Sequence, residues 1–165
     1  MITLRNSVTA FLFHEKNVLL IKRSAKKLLA PGLWSGVGGH IEPHEINNPL
    51  EACYREISEE TGITKDDIQS LELKYIIMRR SKNEIRQNYI YFGETSQTKV
   101  SQTDEGTLYW VPKAEMLSKE YTKSFAAMLN HYAKRCPNDT ALYIGVTQND
   151  ESNLKMNWSK FEDFE

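Results

Sequence analysis

The sequence predicts an α/β protein in which a mixed β-sheet lies between helices. Three observations support this fold class. Several short apolar segments have the length of strands, and two longer segments have apolar residues at helical spacing. The length of 165 residues allows a sizeable hydrophobic core. We therefore expect one domain over residues 1–165.

The first predicted elements form a β-hairpin. Apolar segments at residues 8–13 and 18–21 are separated by a polar turn, a pattern typical of two antiparallel strands. A glycine-rich segment follows, in which Gly32, Gly36, Gly38 and Gly39 are four of the eight glycines of the chain. Glycine permits close approach of the backbone to a ligand, which indicates a functional loop.

A helix is predicted from about residue 49 to residue 61. Asn48 is a favourable N-cap, and Pro49 follows at the first helical position. Glu51 stands three residues after the cap, as in a capping box, and Gly62 is suited to the C-terminal end. The buried face is predicted to consist of residues at helical spacing: Leu50, Cys53, Tyr54 and Ile57.

The second half of the chain contains further strands and a second helix. We expect strands at residues 68–78, 87–92 and 107–111, then a short helix at residues 112–117. Apolar residues at helical spacing predict the second helix from about residue 121, ending before Pro137. Residues 141–147 resemble a strand, and the polar turn and apolar segment after them indicate a hairpin or an extended tail.

Three glutamates on the first helix are the strongest indication of chemistry. Glu56, Glu59 and Glu60 have the spacing i, i+3 and i+4, which places them on one flank of the helix. Like charges at this spacing destabilise a helix unless a cation lies between them. Oxygen ligands favour Mg²⁺ or Mn²⁺. The alternative is a solvated acidic face without function.

The segment around these glutamates resembles the Nudix box, G-x5-E-x7-R-E-U-x-E-E-x-G-U, where U is a bulky aliphatic residue. The matching residues are Gly39, Glu45, Arg55, Glu56, Ile57, Glu59, Glu60, Gly62 and Ile63. Nine residues separate Glu45 from Arg55, where the usual pattern has seven. The two additional residues fall before Pro49, in a loop where an insertion costs little.

The resemblance extends over most of the chain, to about residue 136. It implies a Nudix-type α/β/α sandwich with a mixed sheet, and it leaves a C-terminal extension from about residue 137. It also implies hydrolysis of a diphosphate linkage, in which water attacks phosphorus. Glu56, Glu59, Glu60 and the carbonyl of Gly39 are then expected to bind Mg²⁺, or Mn²⁺. Arg55 is expected to orient the glutamates through an ion pair, with Glu45 as its candidate partner.

The sequence leaves the general base and the phosphate contacts open. The resemblance implies as candidates for the base a box glutamate such as Glu56 or Glu59, or Asp104 or Glu105, because MutT-type members use a glutamate in the loop before a Trp-bearing strand, here before Trp110. Lys22 and Arg23, at the end of the second strand, are candidate substrate-binding residues. The alternative for each of these loop and strand-end residues is a charged side chain that is exposed to solvent and has no function. Three arginines of the later hairpin are weaker candidates for phosphate contacts: Arg79, Arg80 and Arg86.

The favoured hypothesis is a MutT-type pyrophosphohydrolase that converts a nucleoside triphosphate, ordinary or oxidised like 8-oxo-dGTP, to the monophosphate and pyrophosphate. The alternatives are a nucleotide sugar or a dinucleoside polyphosphate as substrate. A non-catalytic ligand sensor with the same fold is the alternative from another class; such proteins usually lose box glutamates, which this chain retains. Removal of RNA 5′ ends is a weaker hypothesis, because no basic segment stands out.

Composition limits the partners. The formal net charge is −1, with 21 basic and 22 acidic residues, which argues against a long nucleic-acid track. We expect no membrane span, because no apolar segment of 18 residues occurs. The first residues resemble a strand rather than a signal peptide, and two cysteines provide no disulfide framework, so a cytoplasmic location is expected. A small-molecule nucleotide is the expected partner, and a homodimer is plausible.

Overall fold

A mixed eight-stranded sheet forms the centre of the molecule in the computed structural model, which describes residues 1–26, 30–101, 103–150 and 153–164. The strands are β1 (Thr3–His14), β2 (Asn17–Arg23), β3 (Trp34–Ser35), β4 (Ile68–Ser81), β5 (Glu84–Thr95), β6 (Gly106–Pro112), β7 (Leu142–Asp150) and β8 (Asn153–Phe161). The helices are α1 (Pro49–Thr61) and α2 (Lys123–Ala133). This is the mixed sheet between helices that the sequence predicts.

The order of the strands across the sheet is β3-β2-β1-β5-β4-β7-β8, and β6 pairs with β2. The predicted first hairpin is confirmed, because β1 and β2 are antiparallel. β1 pairs with β5 in parallel, and β4 pairs with β7 in parallel, while the other pairs are antiparallel. The parallel β1–β5 pair lies at the middle of the sheet and positions the cavity described below.

The two helices cover opposite faces of the sheet, as alternate residues of β1 show. Val8 and Leu12 belong to a core cluster with residues of α1, whereas Phe11 and Phe13 belong to a second cluster with Met128 and other residues of α2. Successive side chains of a strand point to opposite faces. β1 is therefore buried on both sides, as expected for the central strand of an α/β/α sandwich.

Helix α1 begins and ends at the predicted residues, and Gly62 closes it in the left-handed conformation with φ of 76°. Asn48 is the N-cap residue, as predicted, but its side chain accepts no capping hydrogen bond in the described structure. Asn48 has φ −139° and ψ 70°, and its backbone carbonyl instead accepts from Glu51 N at 3.1 Å. Tyr54 is only half-buried, and Ala52 is the residue that joins Cys53 in the core.

The hairpin of β4 and β5 is longer than predicted. The strands continue to Ser81 and resume at Glu84, so the turn contains only Lys82 and Asn83, with Lys82 at φ 52°. The predicted strand ends at residues 78 and 87, which left a longer basic connection between the strands, are therefore wrong. Arg79 and Arg86 pair directly with each other in the ladder, which places their side chains on the sheet surface instead of in a loop.

The C-terminal segment extends the sheet. The predicted strand after residue 141 is β7, and the apolar segment after it forms β8, which pairs antiparallel with β7. Neither α-helix in the described part of the chain has the length and apolar content that crossing a membrane requires. Short 3₁₀ segments at Pro43–Glu45, Lys65–Asp67 and Lys113–Ser118 complete the described secondary structure.

Candidate active site

Arg55 is the centre of the acidic site. Its Nε and Nη2 donate to the two carboxylate oxygens of Glu45 at 2.7 and 2.9 Å. Its Nη1 donates to Glu56 Oε1 at 2.9 Å and to Glu59 Oε2 at 3.1 Å. Nη2 also donates to the backbone carbonyl of His40 at 3.0 Å. One guanidinium therefore orients three carboxylates and ties helix α1 to the glycine-rich loop.

The insertion before α1 does not prevent Glu45 from reaching Arg55. Glu45 ends the 3₁₀ segment Pro43–Glu45, and its Oε2 also accepts from the backbone N–H of Glu42 at 3.0 Å. Residues 46–48 are exposed, and Asn48 N donates to the Glu45 carbonyl at 2.7 Å. The additional residues thus bulge into solvent and leave the bidentate pair intact. The hydrogen bonds from Arg55 lower the pKa of Glu45 to about 2.

Negative charge accumulates on the inner side of α1. Burial raises the pKa of Glu60 to about 7, and the carboxylates of Glu56 and Glu105 add to this rise. The backbone N–H of Gly38, which donates to Glu60 Oε2 at 2.9 Å, and the charge of Arg23 oppose it. Burial also raises the pKa of Glu56, against the effect of Arg55. These carboxylates are only partly compensated by the positive charge around them.

The glycine-rich loop runs antiparallel beside β1 and brings backbone close to the acidic residues. Ala10 exchanges hydrogen bonds with Val37, and Val8 N donates to the Gly39 carbonyl at 2.9 Å. A Cβ on Gly38 would lie 2.2 Å from the Val8 carbonyl oxygen, and one on Gly39 would lie 2.5 Å from the Glu56 carboxylate. Gly38 and Gly39 are therefore required for close packing here.

The glutamates of α1 have the oxygen donors that a hard divalent cation prefers, although their side chains do not form a complete coordination site. Among the described residues, no three His, Cys, Asp or Glu side chains are gathered closely enough to hold a metal ion as they stand. Glu56 and Glu59 face Arg55, and Glu60 faces the Gly38 N–H. Carboxylates of raised pKa on one flank of a helix are nevertheless a donor set that a cation would stabilise.

A cavity of about 270 Å³ opens beside Gly38 and Gly39, on the face of the sheet that α2 covers. Its described lining includes four arginines, Arg5, Arg23, Arg79 and Arg86. Polar residues of the lining are Ser7, Thr9, Ser35, His40, Asn88, Thr122 and Ser124, and the larger apolar ones are Trp34, Ile77 and Phe125. The cavity therefore combines a positively charged lining with aromatic rings, next to the acidic flank of α1.

The two residues predicted to contact phosphate, Lys22 and Arg23, lie in different environments. Arg23 lines the cavity, whereas Lys22 is exposed outside the described lining, with its Nζ 5.8 Å from the Trp34 ring centre. Alternation along the strand does not explain the difference, because Lys22 follows Val18 and Leu20 on the side of α2. Arg23 is the last residue of β2 and lines the cavity from the end of the strand. In the loop before β6, Glu105 is half-buried and close enough to affect the pKa of Glu60, whereas Asp104 is exposed.

Several residues of the cavity were not predicted from the sequence, most clearly Arg5, Asn88 and Phe125. Asn88 Nδ2 donates to Thr9 Oγ1 at 3.1 Å, across neighbouring strands. Trp34 also lines the cavity. Arg5 is close to Arg86 only because β1 and β5 pair in parallel, so the register of the sheet was the missing information.

The sequence matches the family model of the NUDIX domain over residues 3–132. The chain belongs to the NUDIX family. It is therefore a hydrolase that acts on pyrophosphate bonds, and the general activity of the family is pyrophosphate hydrolysis of nucleoside diphosphate derivatives. NUDIX hydrolases generally use divalent metal cations, which agrees with the donor set on α1. The matched segment includes the glutamates of α1 and the loop around Gly39.

Solved NUDIX structures have the same fold at low sequence identity. The mutator MutT protein from Bacillus halodurans has a TM-score of 0.72 at 21% identity, with 94% of this chain and 97% of that chain covered. An Ap4A hydrolase binary complex from C. elegans gives 0.59 at 17%, covering 80% and 96%. The NUDIX domain of Shewanella oneidensis NrtR, complexed with ADP ribose, gives 0.59 at 18%, covering 81% and 90%.

Proposed function

We propose that this NUDIX protein hydrolyses a nucleoside triphosphate, ordinary or oxidised, to the nucleoside monophosphate and pyrophosphate, with Mg²⁺ as the cation. The observation that carries the proposal is the continuity of two regions. The glutamates of α1, held by Arg55, are not among the described lining of the cavity, but they contact Gly38 and Gly39, which line it beside the arginines. A polyphosphate can place its negative charge along the arginines while one phosphoryl group reaches the glutamates.

The carboxylates of Glu56, Glu59 and Glu60, with the carbonyl of Gly39, are the groups that would hold the cation. The Gly39 carbonyl already accepts one hydrogen bond from Val8 N and retains a second lone pair. When bound, Mg²⁺ supplies charge neutralisation at the phosphate oxygens and a lower pKa for a water molecule. Mn²⁺, which also prefers oxygen ligands, is the expected substitute.

The side chains of the protein position the reaction in three ways. Arg55 holds Glu56 and Glu59 from one side, which restricts their rotation. Arg23 lines the cavity beside Gly38 and is placed to contact a phosphate. Glu105, half-buried near Glu60, is our candidate for the general base. In that role it takes the proton of the attacking water as the phosphorus–oxygen bond to the leaving group breaks.

A dinucleoside polyphosphate is the second candidate substrate. The cavity continues along β1 from Val8 to Arg5, so arginines line it well beyond Gly39. A longer chain of phosphates would use these additional charges. Retention of all box glutamates argues against the alternative of a non-catalytic ligand sensor.

The experiment that tests the proposal is a hydrolysis screen with Mg²⁺ and with Mn²⁺. The panel contains ordinary and oxidised nucleoside triphosphates, nucleotide sugars and dinucleoside polyphosphates, and ³¹P NMR identifies the products. The Glu59→Gln variant serves as the inactive comparison, and Glu51→Gln, on the exposed side of α1, as the matched control. We expect a monophosphate and pyrophosphate from a triphosphate, with the wild type and Glu51→Gln equally active.

Two other results would overturn the proposal. Preferred hydrolysis of a nucleotide sugar or of a dinucleoside polyphosphate would move the substrate to one of the alternatives. Ligand binding in a thermal shift measurement, without hydrolysis of any member of the panel by either cation, would support the sensor instead.

A further inference from the structure

Three arginines form a row across the sheet at the end of the cavity away from α1. Arg5 of β1 pairs with Arg86 of β5, and Arg86 pairs with Arg79 of β4. All three line the same cavity, so their side chains share one face of the sheet. Like charges directly opposite each other on neighbouring strands are destabilising. We call these residues the arginine row.

One carboxylate accompanies the arginine row and compensates it incompletely. Glu84 Oε2 forms an ion pair with Arg5 Nε at 3.1 Å, and Glu84 Oε1 accepts a hydrogen bond from Arg86 Nε. Within the described residues, the side chain of Arg79 makes no hydrogen bond or ion pair. Burial and the nearby charge of Arg86 lower the pKa of Arg79, although an arginine remains protonated at neutral pH. Three positive charges therefore face one negative charge.

The surroundings of the arginine row suit an anion that enters through the cavity. Asn88, two residues after Arg86 on β5 and part of the same lining, has its amide fixed by a hydrogen bond to Thr9. The first turn of α2 also lines the cavity through Ser124 and Phe125, and a helix N-terminus favours negative charge. Polar side chains of the sheet and the first turn of the helix therefore line the same cavity.

The distance along β1 sets the size of the ligand. Val8, which is bonded to Gly39, and Arg5 are three residues apart, or about 10 Å along an extended strand. An arginine side chain spans part of this distance. A second anionic group therefore has to lie close to the diphosphate that is cleaved, separated from it by no more than a ribose.

We propose that the arginine row binds a second phosphoryl group of the substrate, carried on the 2′- or 3′-oxygen of the ribose and separate from the diphosphate that is hydrolysed. This inference rests on the proposed function, because it takes the acidic end of the cavity as the place of cleavage. An uncharged nucleobase beside the arginine row would leave the repulsion among its three positive charges uncompensated. A phosphate dianion removes that repulsion and accepts bidentate hydrogen bonds from guanidinium groups.

Binding of adenosine bisphosphates tests the proposal without any turnover, because these compounds contain no diphosphate linkage. Calorimetric titration in the presence of Mg²⁺ compares adenosine 5′-monophosphate with the 2′,5′- and 3′,5′-bisphosphates. We expect one bisphosphate to bind about 10- to 100-fold more tightly than the monophosphate. This ratio of dissociation constants corresponds to the free energy that charge-assisted hydrogen bonds contribute. Equal affinity of all three compounds would overturn the proposal.

Substitutions within β4 provide a matched comparison. Arg79→Gln removes a charge from the arginine row, whereas Arg80→Gln removes one from the opposite face, where Arg80 Nε donates to the Lys82 carbonyl. We expect Arg79→Gln and Arg86→Gln to abolish the preference for the bisphosphate while the affinity for the monophosphate changes little. The Arg80→Gln variant should keep the preference. Equal losses in Arg79→Gln and Arg80→Gln would contradict the assignment.

The outcomes for the proposed function and for the arginine row are independent. Hydrolysis of a triphosphate without preference for a bisphosphate would retain the function and reject the role of the arginine row. A bisphosphate preference that depends on Arg79 and Arg86, in a protein that hydrolyses none of the substrates offered, would retain the anion site and reject the proposed hydrolysis.

Discussion

Two ion pairs of α1 have the same shortest distance but different surroundings, and this contrast predicts different stabilities. Arg55 Nε lies 2.7 Å from Glu45 Oε1, and Lys65 Nζ lies 2.7 Å from Glu51 Oε1. The side chains of the first pair are 23% and 8% exposed, and those of the second are 57% and 49% exposed. Glu45→Gln and Glu51→Gln are therefore the same substitution in two environments.

The contribution of Glu45 to the free energy of unfolding follows from its lowered pKa. Lowering the pKa from 4.5 to about 2 corresponds to about 3 kcal/mol of stability at neutral pH. Solvent screens part of this value, because the guanidinium of Arg55 is 23% exposed. We expect Glu45→Gln to lower the free energy of unfolding by about 2–3 kcal/mol, since glutamine keeps only one acceptor for two charged donors. An exposed pair such as Glu51–Lys65 contributes about 0–1 kcal/mol.

Urea denaturation at several pH values measures both effects. The native carboxyl of Glu45 has the lower pKa, so its contribution is complete above about pH 4.5 and is lost as the pH falls toward about 2. The difference between wild type and Glu45→Gln should therefore be constant from pH 7 to about pH 5 and shrink below it. Equal losses for both variants at pH 7, or a difference that grows on acidification, would refute the reasoning.

Three further substitutions test the site. Glu59→Gln should lower kcat by about 100-fold or more, with the unfolding midpoint unchanged, because this side chain is 60% exposed; near-normal turnover would exclude a ligand role. Glu105→Gln should lower kcat by about 10²- to 10⁴-fold in a pH–rate profile if it is the base, with Asp104→Asn as the control that stays active. Gly38→Ala should lower the free energy of unfolding by about 3 kcal/mol, because the added Cβ would lie 2.2 Å from the Val8 carbonyl oxygen and the backbone φ is 150°. Thermal unfolding measures this loss, and an unchanged Tm would contradict it.

Helix α1 could be predicted in detail because its signals are local. Proline at the first position, glycine at the end and the spacing of the glutamates all act within a few residues of each other. The sequence also suggested that Arg55 pairs with Glu45, although the insertion made the geometry uncertain. The position of the N-cap at Asn48 was also predicted, but the missing hydrogen bond of its side chain depends on backbone angles that the sequence does not contain.

The cavity depends on contacts between distant parts of the chain, and the sequence alone did not predict its lining. Arg5 and Arg86 are far apart in sequence and become neighbours only through the parallel pairing of β1 with β5. The different positions of Lys22 and Arg23 do not follow from the alternation of strand residues, because Lys22 lies on the side of α2 and Arg23 lines the cavity from the end of β2. Burial of Cys53 was predicted correctly from the apolar face of α1.

The C-terminal hairpin supports the wall of the cavity from outside the segment that matches the NUDIX family model. β7 pairs with β4 over residues 75–78, directly before Arg79. Arg135, after α2, lies with its guanidinium 5.4 Å from the Tyr75 ring centre and 4.7 Å from that of Tyr143, so it packs between β4 and β7. Without β7, β4 would be an edge strand and its end would lose a hydrogen-bonding partner. Residues beyond the matched segment therefore fix the strand that presents Arg79, so the binding properties of the cavity depend on parts of the chain that the catalytic motif does not contain.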